Sequence, residues 1–169
     1  MNDLHNKEFV ITRTFDAPRE KLWKAWTDPQ EVAKWWGPEM FTVPTVQIDL
    51  RVGGKYLFCM RGAAGLGQPV MDYWSSGMYT EIVPLEKIVC TDGFADEHGN
   101  RVDPSEYGMP ATFPRESIVT ITFEDVAAGK TKLTIHYAIE SEVVREAMVS
   151  SQMKEGWESS LNKLAASVQ

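Results

Sequence analysis

Residues 141–168 read Ser-Glu-Val-Val-Arg-Glu-Ala-Met-Val-Ser-Ser-Gln-Met-Lys-Glu-Gly-Trp-Glu-Ser-Ser-Leu-Asn-Lys-Leu-Ala-Ala-Ser-Val. The stretch predicts one amphipathic helix: Ser141 is placed to cap its start, Glu142 puts a negative charge in the first turn, and no proline interrupts it. At about 1.5 Å per residue such a helix measures roughly 40 Å, long enough to lie across an antiparallel sheet. At about 100° per residue, Met153, Trp157, Leu161, Leu164 and Val168 form one stripe. That face predicts a nearly inaccessible Trp157, packed on a strand. Continued backwards, the stripe meets Glu142, Val143, Glu146, Val149 and Ser150, so it turns mixed in the first half, while Val144 and Met148 project from the opposite side. The change from apolar to mixed predicts a void under the first half of the helix, with Phe58, Met60 and Met153 around it.

Upstream, the chain supplies a surface to receive the helix. Residues 1–7 read as a polar lead-in, and Glu8 to Phe15 alternates as a strand does, with Phe9, Ile11 and Phe15 on one parity. Pro18 is suited to open a short helix carrying Leu22, Trp23, Ala25 and Trp26. Asp28-Pro29 starts a second, with Val32, Ala33, Trp35 and Trp36 as its apolar side up to Gly37-Pro38. Strands are then expected at Val46 to Leu50, Lys55 to Arg61, Val70 to Val83 with a bulge near Ser75-Ser76-Gly77, Lys87 to Phe94, Glu116 to Phe123 and Thr131 to Ile139. Gly62, Gly65 and Gly67 lie in a hairpin loop, without the lysine and following helix of a phosphate cradle. Asp96 to Pro114 is a long loop, of a length that is often functional. One strand, two short helices, about six strands and a last helix define an α+β chain. We expect a curved antiparallel sheet of six to seven strands wrapped around the C-terminal helix, as a single domain over residues 1–169.

Composition narrows the function classes. The chain has 169 residues, 43% hydrophobic and 11% aromatic, enough for a substantial core. Its 17 basic and 24 acidic residues give a net charge of -7 with no basic stripe, which argues against a nucleic-acid partner. No signal-like apolar run and no membrane-length segment is present, so we expect a cytoplasmic protein that does not insert into membranes. Cys59 and Cys90 sit in predicted strands without Cys-x-x-Cys spacing and read as reduced core or wall residues, with a disulfide between them left open. His5 and His98 fall in a tail and a loop, and His136 has the parity of Thr134 and Ala138, pointing to the convex side. No histidine pair has ligand spacing, so neither a metal site nor a cofactor is expected. Motifs for serine, cysteine or metal hydrolysis are absent from the sequence.

Several local motifs, in order, carry a resemblance. They are Pro18 with Leu22-Trp23, Thr27-Asp28-Pro29, Trp35-Trp36-Gly37-Pro38, Asp49-Leu50-Arg51-Val52-Gly53-Gly54, the strand exit from Gly77 to Pro84, and Gly156-Trp157 followed by Leu161 and Leu164. Together they span nearly the whole chain and resemble the SRPBCC or START-like helix-grip superfamily, which includes lipid-transfer domains and the birch pollen allergen. Within it the chain is most similar to the branch named for the activator of the heat-shock protein 90 ATPase. The resemblance implies a sheet closing over a hydrophobic cavity that different members use differently. The Asp96 to Pro114 loop is longer than the family minimum.

That implied cavity frames the candidate ligand-binding residues Trp35, Tyr56, Phe58, Met60, Tyr137, Glu146, Ser150 and Met153. Trp35 and Trp36 read either as a lid or as one anchor and one half-exposed partner, the second being favoured. Tyr56, Phe58, Met60 and Tyr137 have the parity of the helix-facing wall, and a buried tyrosine hydroxyl wants a partner. Glu146 either faces the cavity, where desolvation would raise its pKa, or is solvated at a protruding helix start. The leading expectation is a binding protein for a small hydrophobic or aromatic molecule. One alternative is an enzyme using Glu146 as acid or base on a bound ring. Another is a co-chaperone-like protein-binding domain with a chaperone partner. Val144 and Met148, extended by Tyr107, Met109 and Phe113, would give a homodimer patch, unless that loop folds down over them within the same chain.

Overall fold

The computed structural model describes residues 8–169. The polar lead-in at residues 1–7, with His5, lies outside the described residues. Alternation sets the first element: in β1 (Glu8–Phe15), Phe9, Ile11 and Phe15 are buried while Val10, Thr12 and Thr14 are exposed. Pro18, in extended conformation, precedes α1 (Arg19–Thr27), which buries Leu22 and Ala25. Asp28 then accepts a hydrogen bond from the Gln30 backbone N–H, and Pro29 opens α2 (Pro29–Val32). α2 is shorter than its apolar pattern suggests, ending at Val32, so Trp35 and Trp36 sit in the turn that follows. Trp35 is fully buried there and donates its indole N–H to the Ala25 carbonyl at 2.8 Å, while Trp36 is half-buried. The anchor-and-partner reading of this pair describes the arrangement.

Six further strands follow: β2 (Thr42–Ile48), β3 (Lys55–Ala63), β4 (Val70–Val83), β5 (Lys87–Ala95), β6 (Ser117–Ala127) and β7 (Lys130–Ala138). They form one antiparallel seven-stranded sheet in the order β1-β7-β6-β5-β4-β3-β2. β2 begins four residues earlier than its apolar run and takes in Pro44, which an edge strand with an irregular register tolerates. The β4 irregularity falls between Tyr79 and Glu81, not at Ser75 to Gly77; the latter segment stays in regular register with β3. Gly77 there serves a different purpose, described below.

The C-terminal stretch departs most from expectation, because it is two helices. α3 (Glu142–Ser150) is capped by Ser141, whose hydroxyl accepts from the Val144 N–H, and α4 (Met153–Ser167) begins after a break. At the break, Ser150 and Ser151 both donate to the Ala147 carbonyl, at 3.1 and 2.7 Å, and Gln152 takes a left-handed φ of 58°. Serine hydroxyls that bond back to a helix carbonyl compete with the backbone for it. Because the chain turns here, the stripe of α4 does not extend into α3. α3 instead buries Ala147 and Met148, with Val144 packed on the core, and exposes Val143, Glu146, Val149 and Ser150. The face assigned to self-association is therefore packed inside. α4 buries Ser160, Leu161 and Leu164 against the sheet.

Cys59 and Cys90 are separate buried thiols. His136 lies on the outer face, 3.3 Å from Glu8. The 96–114 segment is ordered by its own contacts: Asp96 accepts from the His98 and Asn100 N–H groups, Ala95 bridges to Arg101, and a 3-10 turn spans Pro104–Tyr107. Among the described residues, no helix is long and apolar enough to cross a membrane.

Candidate binding site on the concave face of the sheet

Register lays the inward side chains out in rows. One row runs Tyr79, Cys90, Val119, Tyr137 and Phe9 across five neighbouring strands, and all five are buried. Towards the sheet end nearer Ala95, the next row is Tyr56, Gly77, Asp92 and Ser117, and the one beyond is Phe58, Ser75 and Phe94. Small residues at Ser75, Gly77 and Ser117 make a low place in the wall, with the aromatic rings of Tyr56, Phe58 and Phe94 around it. Asp92, Ser75, Phe94 and Ser117 are each partly exposed, so solvent reaches this end of the concave face.

Gly77 explains how the polar group at the centre is held. A Cβ on Gly77 would overlap the Thr91 carbonyl and lie 2.5 Å from Tyr56 Cε1, so the tyrosine ring occupies the space that a side chain would need. Crossing there, Tyr56 donates its hydroxyl to Asp92 Oδ1 at 2.5 Å, and the hydroxyl also lies 3.2 Å from the Thr91 carbonyl. Burial pushes the Asp92 carboxyl above its ordinary pKa, and the Tyr56 hydrogen bond and the Arg101 charge oppose this more weakly. The Tyr56 hydroxyl is raised as well, by burial first and the Asp92 charge second. Arg101 itself is on the outer face, over Gly93, where it donates to the Ser76 carbonyl at 2.9 Å and pairs with Glu116 at 3.0 Å. Among the described residues, Asp92 therefore has no cation within ion-pairing distance.

Tyr137 forms the second polar point. Its hydroxyl accepts the indole N–H of Trp157 at 3.0 Å, and burial raises its pKa. Trp157 is half-buried rather than inaccessible, and its neighbours are other indoles. It stacks on Trp26 at 6.1 Å and meets the edge of Trp36 at 5.5 Å, and Trp36 in turn packs on Phe58 at 4.8 Å. α4 holds the 36–39 turn in place through Lys163, which donates to the Pro38 carbonyl at 3.2 Å, and through Ser159, which accepts from the Glu39 N–H at 2.8 Å. On the open side, the 104–113 segment folds over the mouth: Tyr107 packs 5.0 Å from Phe94 and Phe113 5.8 Å from it.

The residues singled out in the sequence divide accordingly. Tyr56, Phe58, Met60 and Tyr137 lie on the concave wall, and Met153 packs against the same core at the start of α4. Trp35 is in the core with its N–H satisfied, behind Trp36 rather than at the surface of the site. Glu146 and Ser150 are exposed on the far side of α3, a consequence of the break that reverses its inward face. An acid or base role for Glu146 on a ligand held inside has no geometry behind it. Asp92 was overlooked, although the alternation Ile88, Cys90, Asp92 places it on the same parity as two apolar wall residues. A carboxylate in phase with buried neighbours was the available signal.

Two depressions lie elsewhere. One of about 440 Å³ is beneath residues 98–101, lined by Lys55, Leu57, Ser76, Met78 and Thr91 among others. A smaller one of about 210 Å³ separates β1 from α4, beside Arg13, Lys154 and Glu158. Among the described residues, no three His, Cys, Asp or Glu side chains converge as a metal site would require.

The family described as Activator of Hsp90 ATPase homolog 1-like protein matches residues 16–169. A solved protein from Arthrobacter aurescens is 28% identical, with 99% of this chain and 89% of that one covered at a TM-score of 0.79. A protein from Mycobacterium smegmatis is 26% identical over 100% of this chain and 94% of its own, also at 0.79. The AHSA1 protein from Silicibacter pomeroyi is 27% identical, covering 94% and 95%, at 0.67. No curated protein matches the chain.

Proposed function

Since the chain belongs to the Activator of Hsp90 ATPase homolog 1-like family over residues 16–169, we propose that it binds a small, largely apolar molecule on the concave face of its sheet. One observation carries this reading. Asp92 and Tyr56 form a polar pair, partly open to solvent, within a wall whose other members are Phe58, Phe94, Cys90 and Tyr137. Ligand sites combine an apolar lining with a few fixed polar groups in this way. The apolar body of the ligand lies against Phe58 and Phe94, and burial of its surface supplies the affinity at about 25 cal/mol per Å² before ordering costs. The polar pair fixes its orientation. Phe113 and Tyr107, above Phe94, give the 104–113 segment the position of a cover.

Binding is tested by titrating the protein with an apolar fluorescent dye and following the Trp36 and Trp157 emission, then competing the dye with unlabelled apolar molecules. A single saturable site, with displacement, supports the reading. Native mass spectrometry of protein purified without denaturation adds a direct measurement of any retained molecule. Dye uptake that never saturates, or is unchanged when Phe94 is replaced by Asp, would reject the concave face as the site. The protein-binding alternative rests on the family description alone.

A further inference from the structure

We infer that the concave site prefers a ligand bearing a basic nitrogen, whose ammonium group is received by the Asp92 carboxylate. This deepens the proposed binding function and rests on it.

Asp92 is a charge for which, among the described residues, the fold supplies no counter-charge. Asp92 stands on the inward side of β5 between Gly77 and Ser117, neither of which offers a charge. Tyr56 supplies one neutral donor to Oδ1. The Gly93 backbone N–H is a second neutral donor, and since a carboxylate has about four acceptor positions, about half are left for other donors. The nearest cation of the fold, Arg101, is held on the opposite face of the sheet by Glu116 and the Ser76 carbonyl. It lies over Gly93, so the backbone of β5 separates it from the inner surface. Of the half-buried cations on the two C-terminal helices, Lys163 is committed to the Trp36 and Pro38 carbonyls and Arg145 pairs with Glu142 at 3.5 Å. A charge that is largely withdrawn from water is stable when it is paired and hydrogen-bonded, and here the protein provides hydrogen bonds but not the counter-charge. The inner wall around it is apolar and aromatic, which suits the organic part of an amine and offers ring faces to a cation. The same arrangement disfavours a carboxylate ligand, because two like charges would face each other in poorly hydrated surroundings.

Three ligands of one shape separate the charge preference from the binding itself: 2-naphthylmethylamine, 2-naphthylmethanol and 2-naphthoate, titrated by calorimetry at pH 7. The expected order is amine tighter than alcohol by about tenfold or more, as charge-assisted hydrogen bonds are stronger than neutral ones, and alcohol tighter than carboxylate. In Asp92→Asn the amine advantage over the alcohol should fall to within about twofold, while the alcohol itself still binds. Tyr56→Phe, which keeps the carboxylate and removes its side-chain donor, should retain the amine advantage; this second variant guards against misfolding of the first. Equal binding of all three ligands by the wild type overturns the amine preference and leaves an apolar site. A preference for the carboxylate, or an amine advantage that survives Asp92→Asn, overturns it as well. Failure of every ligand at millimolar concentration would remove the site and this inference together.

Discussion

Tyr56 reaches Asp92 across an intervening strand, 2.5 Å from hydroxyl to carboxylate, through the space left by Gly77. The contact depends on the absence of a Cβ, so Gly77→Ala should be disruptive despite adding one methyl group. That methyl would overlap the Thr91 carbonyl on the adjacent strand, and backbone gives way less readily than a side chain. Overpacking of this kind costs about 1–3 kcal/mol, and the backbone overlap points to the upper end. Urea denaturation of the variant should show the loss, and a midpoint equal to that of the wild type would mean that Tyr56 does not cross there.

The break between α3 and α4 makes opposite predictions for neighbouring positions. Met148 is 1% exposed, so Met148→Ala should cost about 2–5 kcal/mol, whereas Glu146→Ala on the exposed face should stay within about 0.5 kcal/mol. A continuous helix in phase with Trp157 would reverse that ranking. Chemical denaturation of the two variants decides. For the same reason a Val144→Glu, Met148→Glu protein should lose its fold, not merely its capacity to self-associate.

Strand parity and helix caps were legible because they are local. Glu8 to Phe15, Lys55 onwards and Thr131 onwards each alternate in the sequence as they do in the sheet, and Ser141 caps where a serine should. What failed was phase carried across a junction. Nothing in Ser150-Ser151-Gln152 forbids a helix, since each residue is tolerated in one. Only the shared acceptor at Ala147 and the left-handed Gln152 end it, and these depend on where α4 docks. The candidate site suffered likewise: a helix in false register put Glu146 inside, while Asp92, in a strand with plain alternation, went unread. Its partner Tyr56 was identified as wanting a hydrogen bond, but the partner lies 36 residues away and becomes visible only once β3, β4 and β5 are aligned.

Trp157 and Tyr137 provide a test of the link between α4 and the sheet. Trp157→Phe retains a ring for stacking on Trp26 but removes the N–H that Tyr137 accepts at 3.0 Å. The expected loss is about 1–2 kcal/mol, a hydrogen bond and part of the packing. Trp157→Phe combined with Tyr137→Phe should lose less than the sum of the two single changes, because both remove the same bond. Additive losses in that cycle would show that the pair contributes no coupling.

The two thiols should be silent in the folded protein. Burial raises the Cys59 thiol to about 11, and Cys90 is pushed further in the same direction by burial, with the Asp92 charge adding to it. Thiolate is the reactive form, so at pH 8 neither residue should react quickly with a disulfide reagent. Two equivalents should be released on adding denaturant. Rapid reaction of one thiol in native buffer would mean that the wall around it opens on the timescale of the assay.

Asp92 should leave a signature in the pH dependence of stability. Its carboxyl is raised in the folded protein, chiefly by burial, from a reference value of 3.8. The folded state then holds the proton over a pH range in which the unfolded chain has released it, and stability must fall as pH rises through that range. The charged carboxylate is thus a cost that is absent below the unfolded value and fully present above the folded one. Asp92→Asn keeps the shape and cannot ionise. Relative to this variant, the wild type should lose stability as pH rises above the carboxyl's reference value of 3.8, with a slope of at most about 1.4 kcal/mol per pH unit. The contributions of other titrating groups are shared by both proteins and cancel in the difference, and the altered bond to Tyr56 adds only a constant offset to it. Urea midpoints of both proteins, measured at intervals across that range, give the curve. A difference that is flat, or one in which the wild type gains on the variant as pH rises, would mean that the carboxylate is already compensated in the unliganded protein, and with it the need for a cationic ligand would disappear.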